Sequence, residues 1–248
     1  MLSAGSIVLG KLGSLGFTLI IMFSICTYNV HSFNDELGHD AFNRVVEVLQ
    51  EAQPDIVCLQ EVHGFGLNKL KSALSYQHSL KWGGCAIMTN LAMEEVEISD
   101  RKARKGYHPR FLTARISVHD QHVNVICCHL NHKDELKRMS ELRKMKEQLA
   151  DLYKSNEPQI WTGDFNSLTR EDYSEDAWRK ITEVRKDNCW ELPKTKVLDH
   201  AYFINLNSFF QVTSHMASMG FVDCWTRVGR PEPVSTCRFV KCQDFFTF

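Results

Sequence analysis

Apolar and polar positions alternate along the chain in blocks that predict a layered α/β fold. The runs 23–30 and 55–60 are almost wholly apolar, which is typical of strands covered on both faces. Between them an apolar residue recurs every three or four positions, which predicts a helix over 39–52. By the same criteria, further strands are predicted at 85–89, 95–98, 111–118, 122–130 and 159–164, and further helices at 64–74, 134–154 and 203–219. No internal repeat or low-complexity linker interrupts this order, so we expect one domain.

The N-terminal segment permits two interpretations. Lys11 is the only charged residue before Asp35, and residues 12–26 form an uncharged run that is shorter than the ~20 residues a membrane-spanning helix needs. One interpretation is that residues 1–22 form an N-terminal extension that acts as a signal or anchor. In the alternative, the same run leads directly into the first buried strand of the domain.

Composition excludes several classes of protein. Hydrophobic residues make up 44% and charged residues 24%, which excludes a disordered or fibrous chain. The formal net charge is −1, from 29 Lys+Arg and 30 Asp+Glu, so any site for a polyanion must be local. The nine cysteines include no CxxC pair and lie mostly in apolar runs, as buried free thiols do. This predicts an intracellular location, nucleus or cytoplasm; secretion or membrane association is the alternative if the N-terminal run is a signal.

Polar side chains follow several of the predicted strands at the point where each strand ends. They are Asn29, Glu61, His129, Asn131, Asp164 and Asn166. In layered α/β proteins such side chains converge at one edge, and carboxylate and amide oxygens suit Mg²⁺ or Mn²⁺. Each residue alone has a structural explanation: Glu61 as a cap, Asn29 as a turn residue, His129 as a satisfied core histidine. Together they favour a metal-dependent phosphoryl hydrolase.

Five short motifs occur in order along the chain. They are TYNVHSF (27–33), PDIVCLQEV (54–62), CHLN (128–131), TGDFNS (162–167) and GFVDCW (220–225). This series resembles the successive motifs of the endonuclease/exonuclease/phosphatase superfamily, the DNase-I-like metal-dependent phosphohydrolases. The resemblance spans residues 23–238. It implies a four-layer α/β/β/α sandwich, two sheets flanked by helices, with the active site at one end.

The resemblance also implies a role for each polar strand end. Glu61 would be the principal metal ligand, with Asn29 beside it in the same shell around Mg²⁺ or Mn²⁺. Asp164 would orient or deprotonate the attacking water, and Asn166 would hold a phosphate oxygen or that carboxylate. His129 would contact the scissile phosphate. These roles agree with the chemistry, because a metal ion neutralises phosphate charge while a positioned carboxylate activates the nucleophile.

The C-terminal part departs from the family pattern. The family continues with a strand resembling R-I-D-Y-I/V and a closing S-D-H, whose histidine stabilises the phosphate transition state. After Ser235–Phe239 this chain runs on as VKCQDFFTF and has neither element. Residues 239–248 are therefore treated as a divergent tail, and we expect the last strands of the sandwich to be missing. We expect a truncated or alternatively spliced product of impaired activity, which a cooperative melt with full activity would contradict.

Residues 101–110 (RKARKGYHPR) form a local basic cluster with five Lys/Arg. One interpretation is a solvated loop. The other is a rim that binds phosphates and offers an aromatic ring for base stacking. In the second interpretation Arg104, Tyr107 and Arg110 contact the substrate. Asn131, which follows His129-Leu130 in the CHLN motif, contacts it as well.

These observations predict a metal-dependent phosphodiester hydrolase, a nuclease that acts on nucleic acid as a monomer. A phospholipid or inositol phosphate hydrolase of the same fold is one alternative, since those substrates are also polyanions. A catalytically inactive binding or regulatory module is the other, and the absent closing motif favours it. Turnover that depends on Mg²⁺ distinguishes the two enzymes from the module.

Overall fold

The computed structural model describes residues 3–12, 18–34, 38–96, 110–119, 121–132, 134–155, 157–167, 174–176, 211–219 and 221. The strands are β1 Ser3–Leu12, β2 Thr18–Asn29, β3 Ile56–Gln60, β4 His78–Trp82, β5 Cys85–Thr89, β6 Met93–Glu95, β7 Arg110–Val118, β8 Gln121–His129 and β9 Gln159–Asp164. The helices are α1 Phe42–Ala52, α2 Gly66–Leu74, α3 Glu135–Gln148, α4 Ala150–Lys154 and α5 Gln211–Ser218. Two compact units are formed, the first by residues 1–129 and 145–164, the second by residues 130–144 and 165–246.

All nine strands belong to the first unit and form two sheets. The first sheet has the order β1-β2-β3-β5-β4 and the second has the order β6-β7-β8-β9. Each sheet contains one parallel pair, β2 with β3 and β8 with β9, while the other neighbours are antiparallel. In the parallel pairs Asn29 lies opposite Gln60 and His129 lies opposite Asp164. The carboxyl ends of the paired strands therefore coincide within each sheet, and polar side chains end both pairs.

One apolar cluster joins residues of both sheets. It takes alternate side chains from the strands, as the pleat of a half-buried strand requires. From the first sheet it includes Phe23, Ile25, Ile56, Cys58, Cys85 and Ile87; from the second, Leu112, Ala114, Ile116, Val118, Val123, Val125 and Cys127. Most of these side chains have no solvent exposure, so the two sheets pack face to face as a sandwich.

A second apolar cluster covers the other face of the first sheet with α1 and α2. Val45 and Leu49 of α1 and Leu67 and Leu70 of α2 pack there against the strand residues that point away from the sandwich core. On the second sheet, Ile126 and Cys128 also point away from that core, because they alternate with Val125 and Cys127. Both are fully buried. These layers confirm the mixed α/β fold that the apolar pattern predicts.

Most of the predicted elements occur within a few residues of their predicted bounds, but two strands were missed. Sheet pairing extends into residues 1–22, where β1 pairs antiparallel with β2. The other missed strand, β4, is joined to β5 by Gly83-Gly84 at φ of +57° and +87°. Gly-Gly is a known signal for a two-residue hairpin turn, but HSLKW has too little apolar character to predict a strand before it.

Smaller differences concern the helices. The helix predicted over 134–154 is divided into α3 and α4 at Leu149, although hydrogen bonds from Leu149 N to Met145 O and from Tyr153 N to Leu149 O run through the division. Of the helix predicted over 203–219, the structure describes α5; residues 203–210, like the tail 239–248, lie outside the described residues. None of the helices in the described part of the chain has the length and apolar character that a bilayer crossing needs.

An ion pair fixes the start of β9 against β7 within the first unit. The guanidinium of Arg115 donates to both carboxylate oxygens of Glu157, and Asn124 Nδ2 donates to Glu157 Oε2 at 3.0 Å. The hydrogen bonds from Arg115, followed by that from Asn124, lower the pKa of Glu157 from its ordinary 4.5. A lowered carboxyl pKa in the folded state contributes stability above its unfolded value, and that stability is lost as the pH falls through the folded value.

We therefore expect Glu157→Gln to lower the melting temperature at pH 7, and the difference from wild type to shrink below pH 4.5 as Glu157 becomes protonated. Thermal unfolding followed by circular dichroism between pH 3 and 7 measures this. Glu47→Gln, at an exposed position of α1, is the matched control and should give no pH-dependent difference. An equal loss for Glu157→Gln at every pH would contradict the expectation.

Candidate active site

Four polar side chains meet at the strand ends of the first unit. Asn29 ends β2, Glu61 directly follows β3, His129 ends β8 and Asp164 ends β9. All four were predicted as site residues, and the structure brings their side chains together through hydrogen bonds and short charge contacts. Both sheets contribute, two residues each, so the packing of the sandwich determines their separation.

Asn29 is the centre of this group. Its Nδ2 donates one hydrogen bond to Glu61 Oε1 at 3.1 Å and another to Asp164 Oδ2 at 3.0 Å. Its Oδ1 accepts a hydrogen bond from the backbone N–H of His31 at 3.0 Å. The backbone N–H can only donate and the carboxylates can only accept, so the network fixes which amide atom faces which neighbour. Asn29 thus holds two carboxylates side by side.

His129 faces the same two carboxylates from the second sheet. Its Nε2 lies 3.8 Å from Glu61 Oε1 and 3.9 Å from Asp164 Oδ2, which is too long for a hydrogen bond to either. The imidazole is buried, and its Nδ1 has no hydrogen-bond partner among the described residues. Nε2 is therefore aimed at the space between the carboxylates, where a bound ligand atom could meet all three side chains.

The backbone at Glu61 is in the left-handed region, with φ of +57°. This conformation costs a side-chain-bearing residue about 1–2 kcal/mol and persists where the surroundings determine it. Here Ser32 N donates to Glu61 O at 3.1 Å, and Val62 N donates to Gly84 O at 2.9 Å. These two hydrogen bonds hold the chain on both sides of Glu61. The turn directs its carboxylate to Asn29, and the side chain keeps 25% exposure to solvent.

A glycine places Asp164 beside His129. Gly163 has φ of +128°, and a Cβ there would lie 2.0 Å from the carbonyl oxygen of Cys128. Only glycine lets β9 approach β8 this closely where Gly163 pairs with Cys128, next to the last residue pair of the two strands. This explains the glycine of the TGDFN motif as a requirement of the site geometry.

The donor set can be tested against Mg²⁺, the ion that the family resemblance implies. Glu61 Oε2 accepts no hydrogen bond from the part of the chain that the structure describes, and Asp164 adds a second carboxylate. The described residues contain no cluster of three or more His, Cys, Asp or Glu side chains arranged to hold a metal. Mg²⁺ is commonly held by one or two carboxylates, with water and substrate phosphate completing its shell, so the residues fit this ion. For Asn29 to bind the ion through Oδ1, its amide would have to rotate. Its Nδ2 would then lose the hydrogen bonds to Glu61 and Asp164.

Two further predicted residues belong to the second unit. Asn166, at φ of +48°, donates from Nδ2 to the carbonyl of Leu130 at 3.0 Å. Asn131 accepts a hydrogen bond on Oδ1 from Asp134 N at 3.0 Å, and its own N–H donates to Glu141 Oε2 at 2.7 Å. Both asparagines thus order the segments that directly follow β8 and β9. Their roles toward phosphate or substrate stay predictions.

The basic cluster is described only at its end. Arg110 begins β7 opposite His129, the last residue of β8. Arg104 and Tyr107 lie outside the described residues.

Sequence reasoning missed Gln60, which lies directly before Glu61. It is fully buried, and its Nε2 donates to Thr27 Oγ1 at 3.1 Å and to Cys127 Sγ at 3.4 Å. It therefore links β3 to β2 in its own sheet and to β8 in the other sheet, immediately beneath the site. The available signal was an uncharged polar residue at the end of a strand that is otherwise apolar.

The left-handed turn at Glu61 predicts an unusual order of variant stabilities. We expect Glu61→Gly to be more stable than Glu61→Ala by about 1 kcal/mol, because glycine tolerates a positive φ. Urea unfolding of the two variants measures the difference. At the helical control position Glu47 the order should reverse, with the alanine variant more stable by about 1 kcal/mol. If the alanine variant is more stable than the glycine variant at both positions, the left-handed conformation at Glu61 is contradicted.

Comparison with solved structures finds several similar chains. A humanized TDP2 of D. rerio with 14 mutations is 17% identical, with a TM-score of 0.52 over 86% of this chain and 74% of that chain. A conserved protein of unknown function from Enterococcus faecalis V583 is 19% identical, with a TM-score of 0.48 over 64% of this chain and 71% of that one. A truncated TDP2 of Caenorhabditis elegans is 16% identical, with a TM-score of 0.46 over 62% of this chain and 65%, just under two thirds, of that one.

The similarity to the D. rerio structure confirms the DNase-I-like α/β fold. No curated protein matches the chain. The model of the Endonuclease/Exonuclease/phosphatase family matches residues 26–203, well over half of the chain and four of the five motifs. The chain therefore belongs to the endonuclease/exonuclease/phosphatase family, a family of phosphoester hydrolases.

Proposed function

We propose that this protein is a Mg²⁺-dependent phosphodiester hydrolase that acts on nucleic acid. The observation that carries the proposal is the pair of carboxylates, Glu61 and Asp164, held side by side by the amide of Asn29 and faced by His129 Nε2. Family membership supports phosphoester chemistry in general, and this geometry supports the assignment of roles within it.

Glu61 is the residue that would hold the ion, because its carboxylate is partly exposed and one of its oxygens is not engaged by Asn29. Mn²⁺ would fit the same oxygen donors. When bound, the ion supplies Lewis-acid stabilisation of the charge on the phosphate oxygens.

Asp164 is the candidate general base. Its carboxylate is almost fully buried, and the amide of Asn29 orients it from the side of Oδ2. A carboxylate fixed in this way can accept a proton from an attacking water without first being reoriented. His129, facing the same space, can donate from Nε2 to a phosphate oxygen and so position the substrate.

Nucleic acid is the substrate class that local charge favours. The chain as a whole is nearly neutral, but Lys and Arg are concentrated in the sequence 101–110, and the last of them, Arg110, begins β7 opposite His129. A local concentration of cations suits a chain of phosphates, of which one is cleaved and its neighbours are bound.

The test is hydrolysis by the purified chain with Mg²⁺ and with EDTA. Bis(4-nitrophenyl) phosphate reports phosphodiester cleavage, and a panel of a single-stranded oligonucleotide, sphingomyelin and an inositol polyphosphate reports the substrate class. We expect turnover that needs Mg²⁺ and a preference for the oligonucleotide. Asp164→Asn should lower kcat about 10²–10⁴-fold, the usual contribution of a general base.

Metal binding has a separate readout. Saturating Mg²⁺ should raise the melting temperature of the wild-type protein and not that of Glu61→Gln, because an ion that binds only the folded state stabilises it. Glu47→Gln should behave as wild type in both assays. Preference for sphingomyelin or the inositol phosphate would refute the nucleic acid substrate. Turnover in EDTA equal to that in Mg²⁺ would refute metal dependence.

A further inference from the structure

Two exposed aromatic side chains lie on the segments next to Glu61. Phe65, four residues after Glu61, is 81% exposed, and Trp82, at the end of β4, is 39% exposed. The third large exposed hydrophobic side chain of the described residues is Leu136 on α3. Single exposed apolar residues are ordinary on protein surfaces, but these two rings are on segments joined to one another beside the candidate active site.

Two hydrogen bonds join the segments. Val62 N donates to Gly84 O at 2.9 Å, and Lys81 Nζ donates to Gly64 O at 3.1 Å. Because each residue spans at most ~3.6 Å, the Cα atom of Phe65 lies within about 14 Å of that of Glu61. Both rings are therefore attached to connected segments next to Glu61 of the candidate active site.

The backbone beside Phe65 is fixed by close packing. A Cβ at Gly66 would lie 2.1 Å from Cε2 of Phe33, so glycine is needed for α2 to begin against that ring. Phe33 is itself buried and packs against Phe42 at a ring-centroid distance of 5.5 Å. The backbone next to Phe65 is thus anchored where Gly66 packs against Phe33. Because this backbone is already ordered, less conformational entropy is lost when the ring of Phe65 binds a ligand.

The connected segments are also cationic. Between Glu61 and Cys85 the sequence contains three lysines, two histidines and no acidic residue. Lys81 and His63 are exposed, and Arg110 is close enough that its Cγ lies 3.5 Å from a Cβ built at Gly83. Aromatic rings combined with cations are the usual means of binding single-stranded nucleic acid, in which unpaired bases stack on rings while cations contact the backbone.

We propose that Phe65 and Trp82 form a stacking rim for unpaired nucleobases next to the scissile phosphate, so that the substrate is single-stranded nucleic acid. The proposal rests on the phosphodiesterase function proposed above and names its substrate more closely. A membrane surface would use a broader apolar face. Around Phe65, in contrast, the exposed neighbours are His63, Asn68 and Lys69, so the ring is isolated among polar groups.

The test measures binding without turnover, in an Asp164→Asn background. The dissociation constant for a fluorescent ten-nucleotide single strand is compared with that for a strand of the same length without bases. We expect Phe65→Ala to weaken binding of the base-containing strand about tenfold and to leave binding of the abasic strand within twofold. Phe65→Tyr should retain affinity, whereas Phe65→Leu, which is apolar but cannot stack, should behave as the alanine variant.

Leu136→Ala is the matched control, since it also removes an exposed apolar side chain. It should leave binding of both strands unchanged. Circular dichroism melts of each variant confirm that the fold is intact, as expected for substitutions at an exposed position.

Three outcomes overturn the stacking rim. They are an equal loss for Phe65→Ala on both strands, tighter binding of a duplex than of the single strand, and a Phe65→Ala defect confined to vesicles of sphingomyelin and phosphatidylserine. None of these bears on cleavage of bis(4-nitrophenyl) phosphate, which tests the phosphodiesterase function. Failure of that cleavage with base-dependent binding preserved would refute the hydrolase and leave the rim as a nucleic acid binding surface.

Discussion

The candidate site depends on one arrangement, the amide of Asn29 shared between the carboxylates of Glu61 and Asp164. Two carboxylates held close together repel one another, and charge-assisted hydrogen bonds from one amide group offset part of that repulsion. The remaining negative charge favours a cation, and Nε2 of His129 faces the same place. The sandwich makes this possible because each carboxylate follows a strand of a different sheet. Packing of the two sheets therefore brings the two strand ends together.

Small features of the backbone complete the arrangement. Gly163 lets β9 approach β8 so that Asp164 lies opposite His129, and the left-handed turn at Glu61 directs its carboxylate back to Asn29. Gln60 links the two sheets directly below. The turn is stabilised by the hydrogen bonds from Ser32 N to Glu61 O and from Val62 N to Gly84 O. The interactions of the folded state therefore offset the backbone strain of this preorganised site.

The sequence carries much of this information, for identifiable reasons. The apolar run within 55–60 and the short segment 159–164 predicted buried strands, and the polar residues that end them predicted which side chains would meet. What periodicity could not supply is backbone detail. β4 has too few apolar residues to be predicted as a strand, and the composition of residues 3–12 does not distinguish a strand such as β1 from other apolar segments. The orientation of the Asn29 amide depends on a backbone N–H at His31, which no sequence pattern encodes.

The loop that carries Phe65 is tethered by main-chain atoms: the N–H of Val62, the carbonyl of Gly64, and the backbone of Gly66 against Phe33. The ring itself contributes nothing to that tethering. Position 65 can consequently change identity without disturbing the carboxylate of Glu61, four residues away. Divergence or engineering could therefore change the side chain that this surface presents to a ligand while the fold stays as it is.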